Sequence, residues 1–274
     1  MPSVVDVFGV TALLAIFGYF LYIVYYTLDL FFLNPFAKLP RLTEQEKATI
    51  AANLALYRNL TGRRRKRFHK RVVRFRSRKK IIFHKEVTDR DHITLLLSAT
   101  AVMLTLGMAD FLILSIKKIL VYPAAYYSPL TKQDHNGEYH PGLKTLVFSA
   151  EHLMEGFRIG NDNMNLAVHE FAHAISFNVA NKLNVRSYIF LIGMRKIKRL
   201  FADPNFNGRM DQSAYFRSYG RTNIHEFFAV SVENLVETPG AFQQQFPKLF
   251  GILERMLNLK ILGEYPRSAI KTRS

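Results

Sequence analysis

The sequence predicts an α+β domain, mostly helical with a small sheet, preceded by one N-terminal transmembrane helix. Three observations predict it. An uninterrupted apolar run stands near the N-terminus, several later segments carry apolar residues at helical period, and two short β-branched segments flank a polar, turn-rich stretch.

Val7–Leu28 (VFGVTALLAIFGYFLYIVYYTL) lies between Asp6 and Asp29 and contains no charge. About 20 residues cross a hydrocarbon core of about 30 Å, so the run has the length of a span. Tyr19, Tyr22, Tyr25 and Tyr26 crowd its C-terminal half, as an interfacial aromatic belt would. A signal peptide fits less well, because no basic n-region precedes the run and no small-residue cleavage site follows. Before the run the only positive group is the α-amine; after it come Lys38, Arg41 and Lys47. The positive-inside rule then predicts a single-pass protein of the bacterial cytoplasmic membrane, its main domain facing the cytoplasm. The expected organisation is a span with its flanks over 1–33, a linker over 34–41 marked by Asn34-Pro35 and Pro40, and one domain over 42–274.

Thr43 with Glu46 three residues on forms a capping-box pattern that opens a helix running to about Tyr57. Residues 63–85 hold 13 Lys or Arg and no acid, with Phe68, Val72 and Phe75 at helical spacing. That segment reads as a basic amphipathic helix suited to anionic lipid headgroups; no base-reading motif supports nucleic acid. Ile93–Leu106 is apolar over too short a length to span and reads as a core helix. Leu112–Tyr122 has strand-like content and ends at Pro123, a loop follows through Gly142, and Leu143–Ser149 reads as a second strand. Leu166–Leu183 is helical by period, with Asp162 or Asn163 as its cap. Tyr188–Ile192 fits helix or strand, and Pro204–Gly208 reads as a loop. Asn223–Glu237 is helical and stops before Pro239-Gly240; a last helix covers about Gln243–Leu259.

Composition narrows the chemistry. The chain has 274 residues, 49% hydrophobic and 22% charged, which supports a buried core and excludes a disordered chain. Lys and Arg outnumber Asp and Glu, 38 to 21, and the net charge of +17 points to an anionic partner. Residues 1–120 carry 20 basic and 8 acidic side chains, so most of the excess lies there. Cys is absent, which excludes disulfides, cysteine nucleophiles and thiolate metal sites. A metal would have to use His, Asp or Glu.

Such a set exists. His169-Glu170-Phe171-Ala172-His173 is an HExxH sequence within a helical, apolar pattern. Residues four apart share a helix face, so both imidazoles can reach one ion, and zinc suits neutral imidazole. Glu170 lies on the adjoining face, where its carboxylate can act on water without being a ligand. A third ligand must come from elsewhere. Glu226 opens a second apolar helix and is one candidate; His225, Glu233 and Glu237 are others. Asn223 with Glu226 also fits a capping box, which would make Glu226 structural.

HEFAH followed by Tyr-x-x-Thr-Asn-x-x-Glu-Phe-Phe-Ala-Val, starting at Tyr219, resembles the Mlc titration factor A (MtfA) metallopeptidases. It is more distantly similar to the catalytic domain of anthrax lethal factor. Glu86-Val87-Thr88-Asp89, Val121-Tyr122-Pro123 and Val147-Phe148-Ser149 sit in the family's order, and the likeness covers about residues 42–260. The resemblance implies a zincin-like metallopeptidase domain holding one zinc ion per chain. It implies His169, His173 and Glu226 as zinc ligands, Glu170 as general base and Tyr219 as an oxyanion donor. Ser176 stands where many members carry an acidic residue. The family's eponymous role is binding the repressor Mlc, so a transcriptional regulator is the implied alternative partner to a peptide substrate. The function expected is zinc-dependent peptide hydrolysis, with the Lys144–Ser149 strand pairing with substrate backbone if it is a sheet edge.

Overall fold

A computed structural model describes residues 4–27, 40–129, 131–180, 182 and 184–261. It divides into two units, Met1–Pro40 and Arg41–Ser274.

In the first unit, helix α1 (Val4–Thr27) forms where the apolar run predicts helix. Among the described residues no helix is long and apolar enough to cross a membrane. This overturns the expected transmembrane helix, and with it the single-pass, cytoplasm-facing placement in a bacterial cytoplasmic membrane. Residues 34–39 of the expected linker lie outside the described residues.

The second unit begins with α2 (Glu44–Asn53), closed by the expected capping box. The Glu46 N–H donates to Thr43 Oγ1 at 3.1 Å and the Thr43 N–H to Glu46 Oε2 at 2.7 Å. The helix stops earlier than Tyr57, because Leu54 turns extended to bury its side chain, and α3 (Ala55–Arg58) restarts as one turn. Helix α4 (Gly62–Arg78) sinks Phe68, Val72, Val73 and Phe75 into the core and leaves Arg63, Lys66, Arg67 and Lys70 on its exposed face. The basic segment is not helical to residue 85. The β-branched pair Ile81-Ile82 forms strand β1 (Lys80–Phe83) instead.

Helix α5 (Arg90–Leu104) is buried almost throughout, as expected of Ile93–Leu106. Strand β2 (Lys118–Tyr122) follows, then a hairpin of β3 (Tyr126–Ser128) and β4 (Gln133–His135), then β5 (Gly137–His140) and β6 (Thr145–Ser149). Strands β3, β4 and β5 occupy the expected loop. They are short and polar and carry no alternation for a pattern to show. The larger sheet has the order β1-β2-β6-β5. Its first three strands are parallel, with Ile81 opposite Ile119 and Val121 opposite Phe148, and β5 runs antiparallel to β6. Strand β6 is therefore internal and fully buried, and the edges are β1 and β5.

Helix α6 (Ala150–Arg158) leaves β6 directly, and α7 (Leu166–Ala180) packs under the sheet through Phe148 and Phe171, whose ring centroids lie 6.0 Å apart. Helix α8 (Val185–Phe201) settles Tyr188–Ile192 as helix. Pro204–Gly208 is not a loop. Asp203 accepts the Asn205 N–H at 3.0 Å and Pro204 starts α9 (Pro204–Ser213), since a first-turn proline gives up no needed donor. A 3-10 turn (Ser218–Arg221) leads into α10 (Ile224–Glu237). The expected last helix is two, α11 (Pro239–Gln245) and α12 (Pro247–Leu257), divided where Pro247 begins a new first turn.

Candidate metal centre

The rotation of α7 is fixed by what it buries. Ala167, Val168, Phe171, Ala172, Ala174 and Ile175 are all at most 1% exposed, which turns positions 169 and 173 to the same remaining side. The helix is capped not by Asp162 or Asn163 but by Asn165, whose Oδ1 accepts the Val168 N–H at 3.1 Å. Helix α10 is capped by Asn223, which accepts the N–H groups of His225 (2.9 Å) and Glu226 (3.0 Å). Only the backbone of Glu226 takes part in that cap. Its carboxylate turns to α7, so the capping-box alternative is not made.

The two helix faces meet. His169 Nε2 lies 3.0 Å from Glu226 Oε2, His173 Nε2 lies 3.4 Å from Glu226 Oε1, and the two Nε2 atoms are 3.1 Å apart. Donor atoms bound at about 2.0–2.1 Å around a tetrahedral centre stand about 3.3–3.4 Å from one another, so this N, N, O set fits one ion. Among the described residues these three form the group able to hold a metal. His225 is exposed, and neither it nor Glu237 joins them.

Glu233, the other rival ligand, stands behind His169. Its Oε1 lies 2.7 Å from His169 Nδ1 and accepts Arg217 Nη2–H at 2.6 Å, while Oε2 accepts the Asn165 N–H at 2.8 Å. A carboxylate on the far nitrogen turns the near nitrogen toward a metal. Glu233 was legible as an acid two helical turns beyond Glu226, but its position behind the ring was not; nothing in the sequence singles out Arg217.

Electrostatics follow from these contacts. Burial alone would lower the proton affinity of His169, but its bonds to Glu226 and Glu233 outweigh burial and push it up to about 10. Burial acts to raise Glu226, and the bonds from His169 and His173 overcome it, holding that carboxyl well below the ordinary range. Glu170 is enclosed, and burial raises it above an ordinary carboxyl in spite of the two imidazoles. It lies against the edge strand: a Cβ at Gly137 would stand 3.1 Å from Glu170 Cγ and 3.2 Å from Oε1.

The backbone of Tyr219 lies in the 3-10 turn before α10; its side chain is outside the described residues. The turn sits close on α10, since a Cβ at Gly220 would meet Val230 at 3.1 Å.

A protein-family model described as glucose-regulated metallo-peptidase M90 matches residues 36–257. No curated protein matches the chain, and neither comparison shows the resemblance to lethal factor. The family match extends from before α2 to the end of α12 and takes in both helices that meet at His169, His173 and Glu226, and so the chain belongs to the glucose-regulated metallopeptidases, the MtfA family.

Proposed function

We propose that this metallopeptidase is a zinc enzyme with a zincin-like domain, in which His169, His173 and Glu226 are the zinc ligands and Glu170 is the general base. One observation carries the reading: two imidazoles and a carboxylate from separate helices converge beside a buried glutamate. Neutral imidazoles with one carboxylate favour zinc in its catalytic, open-sited form. Bound zinc supplies Lewis acidity at the scissile carbonyl and an acidified water. Glu170 takes the proton from the attacking water and returns it to the leaving amine. Its burial suits it to both transfers, because a raised carboxyl accepts a proton more readily than an exposed one. Tyr219 donates its phenol O–H to the developing oxyanion. The substrate backbone pairs with β5, the sheet edge that touches Glu170 through Gly137, and not with the internal β6.

The test is metal content together with cleavage of an unbiased peptide mixture, on wild type and Glu170→Gln. The expected result is about one zinc in both proteins and cleavage only in the wild type, a loss of about 10²–10⁴. Full cleavage by Glu170→Gln sinks the mechanism. If the chain instead titrates a transcriptional regulator, Glu170→Gln keeps its phenotype.

The exposed cations of α4 support a second contact, with an anionic lipid surface met from the side. Its apolar residues are all packed inward, so the contact is electrostatic. Salt-sensitive cosedimentation with phosphatidylserine vesicles tests this; equal binding to neutral vesicles refutes it.

A further inference from the structure

The Glu233 side chain is 2% exposed and both of its oxygens are engaged by groups outside α10. The Asn165 N–H, at the start of α7, holds Oε2. Oε1 is shared between His169 Nδ1 and the Arg217 guanidinium, at 2.7 and 2.6 Å. A carboxylate fixed at one oxygen only can still turn about its last side-chain bond. The second oxygen then needs a partner other than the imidazole it is meant to orient. Arg217 is that partner. It arrives from outside both ligand helices, on the segment between α9 and the 3-10 turn, with its side chain 31% exposed.

We infer that Arg217 is a positioning residue for the metal centre: by clamping Glu233 Oε1 it fixes the ring of His169 with Nε2 toward His173 and Glu226. The inference rests on reading those three residues as metal ligands. A charged planar donor suits the task, since charge-assisted bonds to carboxylate are about twice as strong as neutral ones. Arg217 also stands two residues before Tyr219. The same clamp therefore anchors, behind the metal ligand, the chain segment that carries the proposed oxyanion donor.

The experiment measures zinc dissociation constants at one pH by chelator competition, on full-length wild type, Arg217→Met and Arg217→Lys. The visible spectrum of each cobalt-loaded protein and the melting temperature of each chelator-treated protein are measured beside them. Loss of an outer-sphere partner weakens metal binding about 10–100-fold. That loss is expected for Arg217→Met, with a shifted cobalt band and a melting temperature near wild type. Arg217→Lys, which keeps one charged donor, should fall between. If Arg217→Met does not fold, Arg217→Gln is the second neutral variant and reads the same constant. A neutral variant that binds zinc within twofold of wild type, with an unshifted cobalt band, overturns the inference and leaves the metal site standing. A wild type that holds no zinc overturns the site and the inference together.

Discussion

Zinc binding should depend steeply on pH well above neutrality. Without a metal, His169 is protonated between two acids, Glu226 at 3.0 Å and Glu233 at 2.7 Å, which push its pKa up to about 10. A ligand imidazole must give up the proton from the nitrogen that binds. Because the pKa is raised, the proton is held at every pH below about 10 and competes with the metal there. The sign follows: affinity rises as pH rises. From pH 7 to pH 9 the association constant should climb about tenfold per pH unit, about 100-fold in all. At pH 7 the displaced proton costs about 4 kcal/mol of the intrinsic binding free energy. An ordinary imidazole, with a pKa of about 6.5, gives almost no slope over that range. Chelator competition across pH 6–9 reads the slope. Titration calorimetry in buffers of different ionisation enthalpy should show about one proton released per zinc at pH 7.5. A dissociation constant that levels off above pH 7 would refute the claim that Glu226 and Glu233 hold His169 charged.

Gly137→Ala places a methyl group against Leu166 Cδ1 at 2.7 Å and Glu170 Cγ at 3.1 Å. It should lower kcat about 10–100-fold by displacing the base while zinc content stays at the wild-type level, and an unchanged kcat would separate β5 from the chemistry. Asn223→Ala removes the cap that holds the N–H groups of His225 and Glu226. It should cost about 1 kcal/mol in denaturant unfolding and weaken zinc binding as well; normal values for both would show that the cap positions nothing. Tyr219→Phe should keep zinc and melting temperature and lose about 10²–10³ in kcat with KM little changed, because an oxyanion bond strengthens only in the transition state. A normal kcat with a lowered melting temperature would make Tyr219 structural.

The legible parts of this chain are those where local chemistry and burial agree. The HEFAH helix could be read because its candidate ligands interrupt a run of small and apolar residues that had to be buried. Thr43 and Glu46 announced their helix start because both halves of the box are local. The helix within Ile93–Leu106 was visible because no charge, Gly or Pro breaks it. Where the deciding contact is distant, the reading failed. Gly137–His140 is a strand only because β6 pairs with it, and the sequence GEYH carries no trace of that partner. Leu54 ends α2 by burying its own side chain. Glu233 and Glu226 are both acids on one helix, and only the position of the His169 ring makes one a ligand candidate and the other its support. The length, apolar content and tyrosines of Val7–Leu28 fit a span, yet the helix it forms is not long and apolar enough, over its described residues, to cross a membrane.

The split of the candidate ligands between α7 and α10 gives the site a birth order. Glu226 follows His169 by 57 residues. At about 5–20 residues per second, a ribosome takes about 3–11 s to make that interval. Through those seconds the nascent chain carries both imidazoles and the proposed base but no carboxylate arm. Arg217 and the 3-10 turn emerge only shortly before α10 does. Whatever this chain can cut, it gains the means late, with α11 and α12 still to follow α10.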